Sequence, residues 1–309
     1  MKKKYILVSM VKNEADIIES FVRYHLCIFD QIIILDNKST DNTCHILEQL
    51  KHEGIPLTII KDESLEFIKG KKTTKLVYDT LQKHNPDVIF LLDADEFLTS
   101  VGSNVHPREY IDQLIQDKVY YINRENYLPH SSDNMSEQFV PKRIIHKSDD
   151  TISRKVIFTR KILKNFKINI GQGNHGLLPG NKSVKRETLN NLKIAHFPFR
   201  SIEHFKSKVI IGWIANLSRH DRKEKDSLPW KHWFNKVRAN PDITFAELFA
   251  NKQFTRKPIN LSFCNEIKMK YSKKNEVCFM KNLLNYCELL ALDQADLRNK
   301  LLNQKGHER

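Results

Sequence analysis

Four apolar runs, each followed by a stretch long enough for a helix, fill the first hundred residues and leave few folds open to the chain. They are YILVSMV (residues 5–11), QIIILD (31–36), PLTIIKDE (56–63) and VIFLLDADEF (88–97). Between the first two, NEADIIESFVRYHLCI sets Ile17, Ile18, Phe21, Val22 and Leu26 at helical spacing. STDNTCHILEQLKHEG reads as a capped helix ended by Gly54, and KKTTKLVYDTLQKHN as a helix with Pro86 beyond it. Strands joined by helix-length crossovers pair in parallel. The expected fold class is therefore α/β, with a mostly parallel sheet flanked by helices. In such sheets ligands bind beyond the carboxyl ends of the strands. VKNEAD, DNKSTD and DADEF all fall there. One site built from three loops is expected.

Beyond about residue 118 the pattern changes. Short strand-like pieces occur in VYYINREN, KVIFTRKIL, KINIGQGNHGLL and LKIAHFPF. Helical patterns dominate from Ser201, with Trp213, Trp230 and Trp233 placed to pack them, and an amphipathic helical tail follows residue 275. The expected organisation is a domain over 1–215, with halves at about 1–100 and 101–215, and a helical extension over 216–309.

The net charge of +14 favours anionic partners. The basic residues are dispersed, apart from KGKKTTK and the mixed-sign RHDRKEKD, and no nucleic-acid-binding motif accompanies them. Nucleic acid is therefore disfavoured as a partner. Five cysteines without CxxC spacing speak against a disulfide framework or a zinc site, and for a reducing cytoplasm. No apolar run approaches the roughly 18 residues of a membrane span. The apolar run near the N-terminus reads as a strand rather than a signal segment.

The acids of DADEF need a purpose, because a buried strand gains nothing from carboxylates packed at its end. Hard divalent cations such as Mg²⁺ or Mn²⁺ take oxygen ligands, commonly one or two carboxylates plus phosphate oxygens. Asp93 and Asp95, one residue apart after VIFLL, suit that arrangement. The plainer alternative is a strand end closed by solvated acids.

DADEF together with VSMVKNEADIIESFVRYH and IIILDNKSTDNT resembles the family 2-type glycosyltransferases of the GT-A fold, in the branch with an N-terminal KNE segment. GNH (173–175) and HFPFRSIEHFKSKV (196–209) are similar to the same branch. The resemblance spans roughly residues 4–215. It implies a hexosyltransferase-like enzyme with a nucleotide-sugar donor in the N-terminal half and an acceptor in the C-terminal half. Asp93 and Asp95 would hold Mn²⁺ or Mg²⁺ on the donor diphosphate, with Ala94 between them and His196 as third ligand. Val11, Asn13, Glu14 and Asp36 would line the nucleoside pocket. Lys72, Lys75, Lys155 and Arg200 are cations available to the diphosphate, and His175 is a candidate for metal or acceptor. Asp36 also reads as a turn residue, Asp41 as a helix cap and Glu14 as a first-turn acid. An inverting enzyme needs a carboxylate base. The acidic pair that the family often places well beyond the metal motif is missing, which leaves Glu125, Asp149 and Glu203 as candidates.

The implied acceptor is a surface glycan or lipid-linked glycan, with peripheral contact to the inner face of the cell membrane. Two rivals predict differently. A sugar nucleotidyltransferase calls for a Gly-rich loop after the first strand, and SMVKNEADI has no glycine. A non-catalytic binder of anionic polymers, nucleic acid or polysaccharide, leaves DADEF unexplained.

Overall fold

The computed structural model describes residues 3–64, 69–102, 104–150, 153–177, 184–218, 228–264, 266–273 and 276–307; RHDRKEKD lies outside them. In the first half, β1 (Tyr5–Val11), α1 (Ile18–His25), β2 (Gln31–Asp36), α2 (Thr43–His52), β3 (Leu57–Lys61), α3 (Lys69–His84) and β4 (Val88–Leu91) alternate. There follow β5 (Glu96–Ser100), α4 (Pro107–Asp112), β6 (Val119–Asn126), α5 (Val140–Arg143), β7 (His146–Ser148), β8 (Ser153–Thr159), α6 (Arg160–Asn165) and β9 (Arg186–His196). The chain continues through α7 (Ile202–Leu217), α8 (Leu228–Ala239), α9 (Phe245–Leu248), β10 (Phe254–Arg256) and α10 (Phe279–His307).

The main sheet has the order β3-β2-β1-β4-β8-β6-β9-β5. β3, β2, β1 and β4 are mutually parallel, as the crossovers require. β8 runs antiparallel to both β4 and β6, β6 and β9 are parallel, and β5 closes the edge antiparallel to β9. β1 is buried along its whole length because helices cover both faces. Tyr5, Leu7 and Val11 enter one core cluster, and Ile6, Val8 and Met10 the other.

Three local readings change. VIFLLDADEF is two strands, not one. Residues 92–95 break the run, Glu96 N donates to Asp93 O at 3.0 Å, and the Glu96 carboxylate accepts from Asp93 N at 3.0 Å. Glu96 then opens β5 at the far edge, so the acids occupy a turn between distant strands. Within KINIGQGNHGLL, residues 167–177 form a tight turn with one bridge, Ile170 to Leu177, because Gly173 (φ 75°) and Asn174 (φ 59°) turn left-handed. KVIFTRKIL is a strand only to Thr159 and then helical.

Two compact units can be distinguished. One comprises 1–201 with 244–276, the other 202–243 with 277–309. Residue 215, the expected boundary, falls inside α7. In the second unit Trp213 and Phe234 lie 6.3 Å apart and Phe205 and Trp233 5.8 Å apart, ring centre to ring centre. Gly212 gives room to Trp230, whose ring would stand 3.1 Å from an added Cβ. Among the described residues no helix is long and apolar enough to cross a membrane.

Candidate functional site

The turn after β4 gathers several buried charges. Asp93 Oδ1 lies 2.5 Å from Lys69 Nζ, and Asp93 Oδ2 lies 2.8 Å from Lys155 Nζ. Lys155, on β8, has no exposed surface; its ammonium also donates to Gly173 O at 2.8 Å and meets Glu96 Oε2 at 3.1 Å. Three acceptors match its three protons. Glu96 Oε1 in turn takes Arg124 Nη1 at 3.0 Å. Burial alone would raise the Asp93 carboxyl, but Lys155 and Lys69 outweigh it and hold the group well below the usual carboxylate range. Burial works equally against the Lys155 ammonium, and Asp93 and Glu96 overcome it, raising that pKa.

Asp95, 3% exposed, faces elsewhere. The antiparallel register Glu96↔His196 brings it beside the end of β9, where Asp95 O accepts from Phe197 N at 2.8 Å. Its Oδ2 stands 3.5 Å from His196 Nε2 and 3.9 Å from Arg200 Nη1. His196 Nδ1 lies 2.7 Å from Asn126 Oδ1, while Asn126 Nδ2 donates to Asp150 Oδ2 at 3.1 Å. Asp150 also accepts from Ser148 Oγ at 2.6 Å and pairs with Lys252. A carboxylate only accepts, so the Asn126 amide points its NH₂ at Asp150 and its oxygen at His196. That assignment puts the imidazole proton on Nδ1 and the free lone pair on Nε2, toward Asp95. Burial lowers the His196 pKa against the pull of Asp95, which favours the neutral ring.

A carboxylate oxygen and an imidazole nitrogen this close fit neighbouring ligands of one divalent ion. At metal–ligand distances of ~2.1 Å and right angles, such atoms stand ~3 Å apart. Asp95 and His196 therefore fit. Asp93 fits less well, because each of its oxygens already meets an ammonium and one contact would have to open.

The first two strand ends form a stitched pair of loops. Val11, 1% exposed, packs into the core, as does Ala94, and Val11 O accepts from Asn37 N at 2.9 Å. Asn13, at φ 56°, accepts from Thr40 N at 2.7 Å, and its own N–H donates to Ser39 Oγ at 2.9 Å. That left-handed residue delays α1 until Ile18. Asp36 accepts from Ser39 Oγ at 2.5 Å, Ser39 N at 3.1 Å and Cys44 Sγ at 3.1 Å. Asp41 accepts from Thr43 N at 2.9 Å and from Ala15 N at 3.2 Å. Asp36 thus braces its own loop, and Asp41 braces its own and ties it to the first.

The other expected residues divide. Arg200, fully buried, clamps Asp16 through Nε and Nη2 at 2.8 and 2.7 Å and reaches Glu14 at 2.6 Å, so it fastens the first loop beside Asp95. Lys72 pairs with Asp62 at 2.6 Å. Lys75 is not brought in; its side chain is 78% exposed and pairs with Asp79 one helical turn on. His175 Nδ1 donates to Arg154 O at 2.9 Å, and loss of hydration together with the Lys155 and Arg124 cations pushes its pKa down. Glu125 lies on the opposite face of β6 from Asn126, paired with Lys193 at 2.9 Å and Lys147 at 3.1 Å. Burial opposes those lysines, yet the Glu125 pKa is lowered, the wrong direction for a base at neutral pH. Glu203 accepts from Phe279 N at 2.9 Å within its own unit, and Asp149 is exposed.

Sequence reasoning missed Lys69, Glu96, Arg124, Asn126 and Asp150. It also missed Lys12, whose pKa falls to about 8 through burial first and then Lys72. Lys12, Lys69 and Glu96 stood in the motifs VKNEAD, KGKKTTK and DADEF; the others carry no local signal.

No family description and no curated protein matches the chain. Solved structures share parts of its course. S. aureus TarS 1-349 has 15% identity and TM-score 0.41, covering 79% of this chain and 77% of that one. The mannosyltransferase PcManGT from Pyrobaculum calidifontis, in complex with GDP-Man and Mn²⁺, has 12% identity and TM-score 0.40, covering 76% and 69%. GalNAc-T7 with UDP, GalNAc and Mn²⁺ has 10% identity and TM-score 0.39, covering 77% and 50%. At such low scores the chemistry rests on this chain's own residues.

Proposed function

We propose that the chain is a metal-dependent glycosyltransferase of GT-A type. It moves a sugar, with inversion, from a nucleotide-sugar donor to a hydroxyl of a surface or lipid-linked glycan. The observation that carries this reading is the convergence of Asp95 Oδ2 and His196 Nε2 at 3.5 Å, beside the lysine-loaded Asp93, at the carboxyl end of β4. Asp95 and His196 would hold Mn²⁺ or Mg²⁺. The ion, when bound, supplies charge stabilisation to the departing diphosphate. Asn126 keeps the His196 proton on Nδ1 and so leaves Nε2 available. Lys69 and Lys155 keep positive charge beside the same turn, where a leaving diphosphate gains negative charge. Arg200 holds the Glu14–Asp16 loop, which with Asn13 and Asp36 forms the nucleoside side of the pocket.

The net charge of +14 supports an acceptor at an anionic membrane face, and five cysteines without CxxC spacing support a cytoplasmic setting. Thermal shift against nucleoside diphosphates and nucleotide sugars, with Mn²⁺ and with EDTA, tests the proposal. A stabilisation by one nucleotide that chelation removes is the expected result. No shift with any nucleotide, together with salt-sensitive binding of polyanions, overturns it in favour of a non-catalytic binder.

A further inference from the structure

Three lysines gather on the side of β6 and β9 that the proposed sugar transfer does not use. The two strands pair in parallel, Asn123 opposite Lys193, Glu125 opposite Ala195 and Asn126 opposite His196. Lys193 and Glu125 therefore project from one face, and Asn126 and His196 from the other. The small sheet completes the group. Lys147 on β7 stands opposite Thr255 on β10, and Lys257 follows two residues beyond Thr255. Lys257 N donates to Ile145 O at 2.8 Å, which holds that segment against β7.

Among the described residues Glu125 is the one carboxylate in contact with these lysines. Its Oε1 meets Lys147 Nζ at 3.1 Å and its Oε2 meets Lys193 Nζ at 2.9 Å, so both oxygens are engaged. Lys257 feels the same carboxylate from further away. Its ammonium stands at hydrogen-bond range of Lys193 Nζ, where two donors can only repel. Burial lowers the Lys193 pKa, Glu125 opposes that shift, and Lys257 adds to it. Three ammonium groups to one carboxylate leave positive charge in excess, and a buried cation calls for a counter-ion. The cluster is also graded in depth. The Lys193 side chain is 9% exposed, that of Lys147 28%, and Lys257 lies open at the surface. Tyr127 Oη, 3.4 Å from Lys193 Nζ, accepts from it at the buried end and keeps its own proton for a further acceptor.

We propose that Lys147, Lys193 and Lys257 bind one phosphate group, as inorganic phosphate or as the monoester of a phosphorylated glycan, at a site separate from that of sugar transfer. Occupation of this site does not depend on the transferase reading. A compact dianion supplies the negative charge that Glu125 alone does not. Planar carboxylates are matched by the fork of an arginine, whereas lysines reach a tetrahedral oxyanion singly, as point charges from different elements. Lys193 forms the floor of the site, Lys147 its wall and Lys257 its open rim.

The test is calorimetric titration of the full chain at low salt with inorganic phosphate and with glucose 6-phosphate. Saturable binding is expected, weakened about tenfold or more in Lys257→Gln and in Lys147→Gln, the usual scale of a hydrogen bond to a charged group. Acetylation by acetic anhydride, read by mass spectrometry, locates the ligand. Phosphate should protect Lys257 and Lys147 and leave Lys75 as reactive as before. Tighter binding of glucose 6-phosphate assigns the site to a phosphorylated glycan, and equal or tighter binding of inorganic phosphate assigns it to the free ion. Absence of binding overturns the proposal, as does affinity undiminished in Lys257→Gln or a lack of protection at both lysines. Lys257 is exposed and makes no direct ion pair, so its replacement keeps the test valid if Lys147→Gln does not fold.

Discussion

Asp95 Oδ2 and His196 Nε2, 3.5 Å apart, present two lone pairs to the same point when the imidazole is neutral. Asn126 imposes that neutral tautomer from behind. Asp95→Asn should abolish stabilisation by Mn²⁺ plus nucleotide while leaving the melting temperature of the free protein nearly unchanged. Asn126→Ala should weaken Mn²⁺ binding about 10–100-fold, the usual cost of removing a ligand's supporting partner. Titration calorimetry reads both, and unaltered Mn²⁺ affinity in Asp95→Asn removes the metal role.

Lys155 has the opposite character, a cation whose loss should be felt in folding. Lys155→Met leaves Asp93 and Glu96 with a buried cation missing, and breaking such a pair costs about 3–5 kcal/mol. The Asp93 pKa is depressed in the folded state, so its stabilisation is present above the unfolded carboxylate pKa and is lost as pH falls through the folded value. Urea titrations of the wild type and Lys155→Met should therefore differ most near neutrality and converge in acid.

His25 predicts a separate acid limb. It lies at 0% exposure among Phe21, Tyr24, Phe29 and Phe97. Its Nδ1 donates to Phe21 O at 2.9 Å, and its Nε2 accepts from Leu98 N at 3.3 Å, so protonation would break a buried contact. Burial lowers its pKa from 6.5 to about 3, against the bond to Phe21. A depressed histidine leaves the unfolded chain binding the proton first, so its contribution is full above pH 6.5 and declines toward pH 3. Folding free energies measured at pH 7, 5.5 and 4 should show that loss. A wild-type profile flat across this range contradicts it.

Glu19 ties a distant strap to α1. Its carboxylate, fully buried, accepts from the backbone N–H groups of Lys270, Tyr271 and Ser272 at 2.8, 2.9 and 2.8 Å. Glu19→Ala strands three backbone donors, that of Ser272 in a buried contact and those of Lys270 and Tyr271 in part-buried ones, and a buried unsatisfied donor costs about 1–3 kcal/mol. The expected outcome is a loss of several kcal/mol, with faster hydrogen exchange at residues 270–272. Exchange there as slow as in the wild type would show that another group holds the strap.

The apolar runs of the first hundred residues were enough to determined the parallel half of the sheet, its crossovers and the end at which loops gather, because burial on both faces demands near-continuous apolar strands. The same runs located Asp93 and Asp95. What only the tertiary structure decided is which acid meets the lysines and which meets the histidine. Asp93 and Asp95 look alike in DADEF, yet the first faces Lys69 and Lys155 while the second faces His196. That difference comes from a turn closed by Glu96 and from partners on β8 and β9. Local spacing records the period of a strand or helix; it carries no record of which remote charge a buried carboxylate will meet once the sheet has formed.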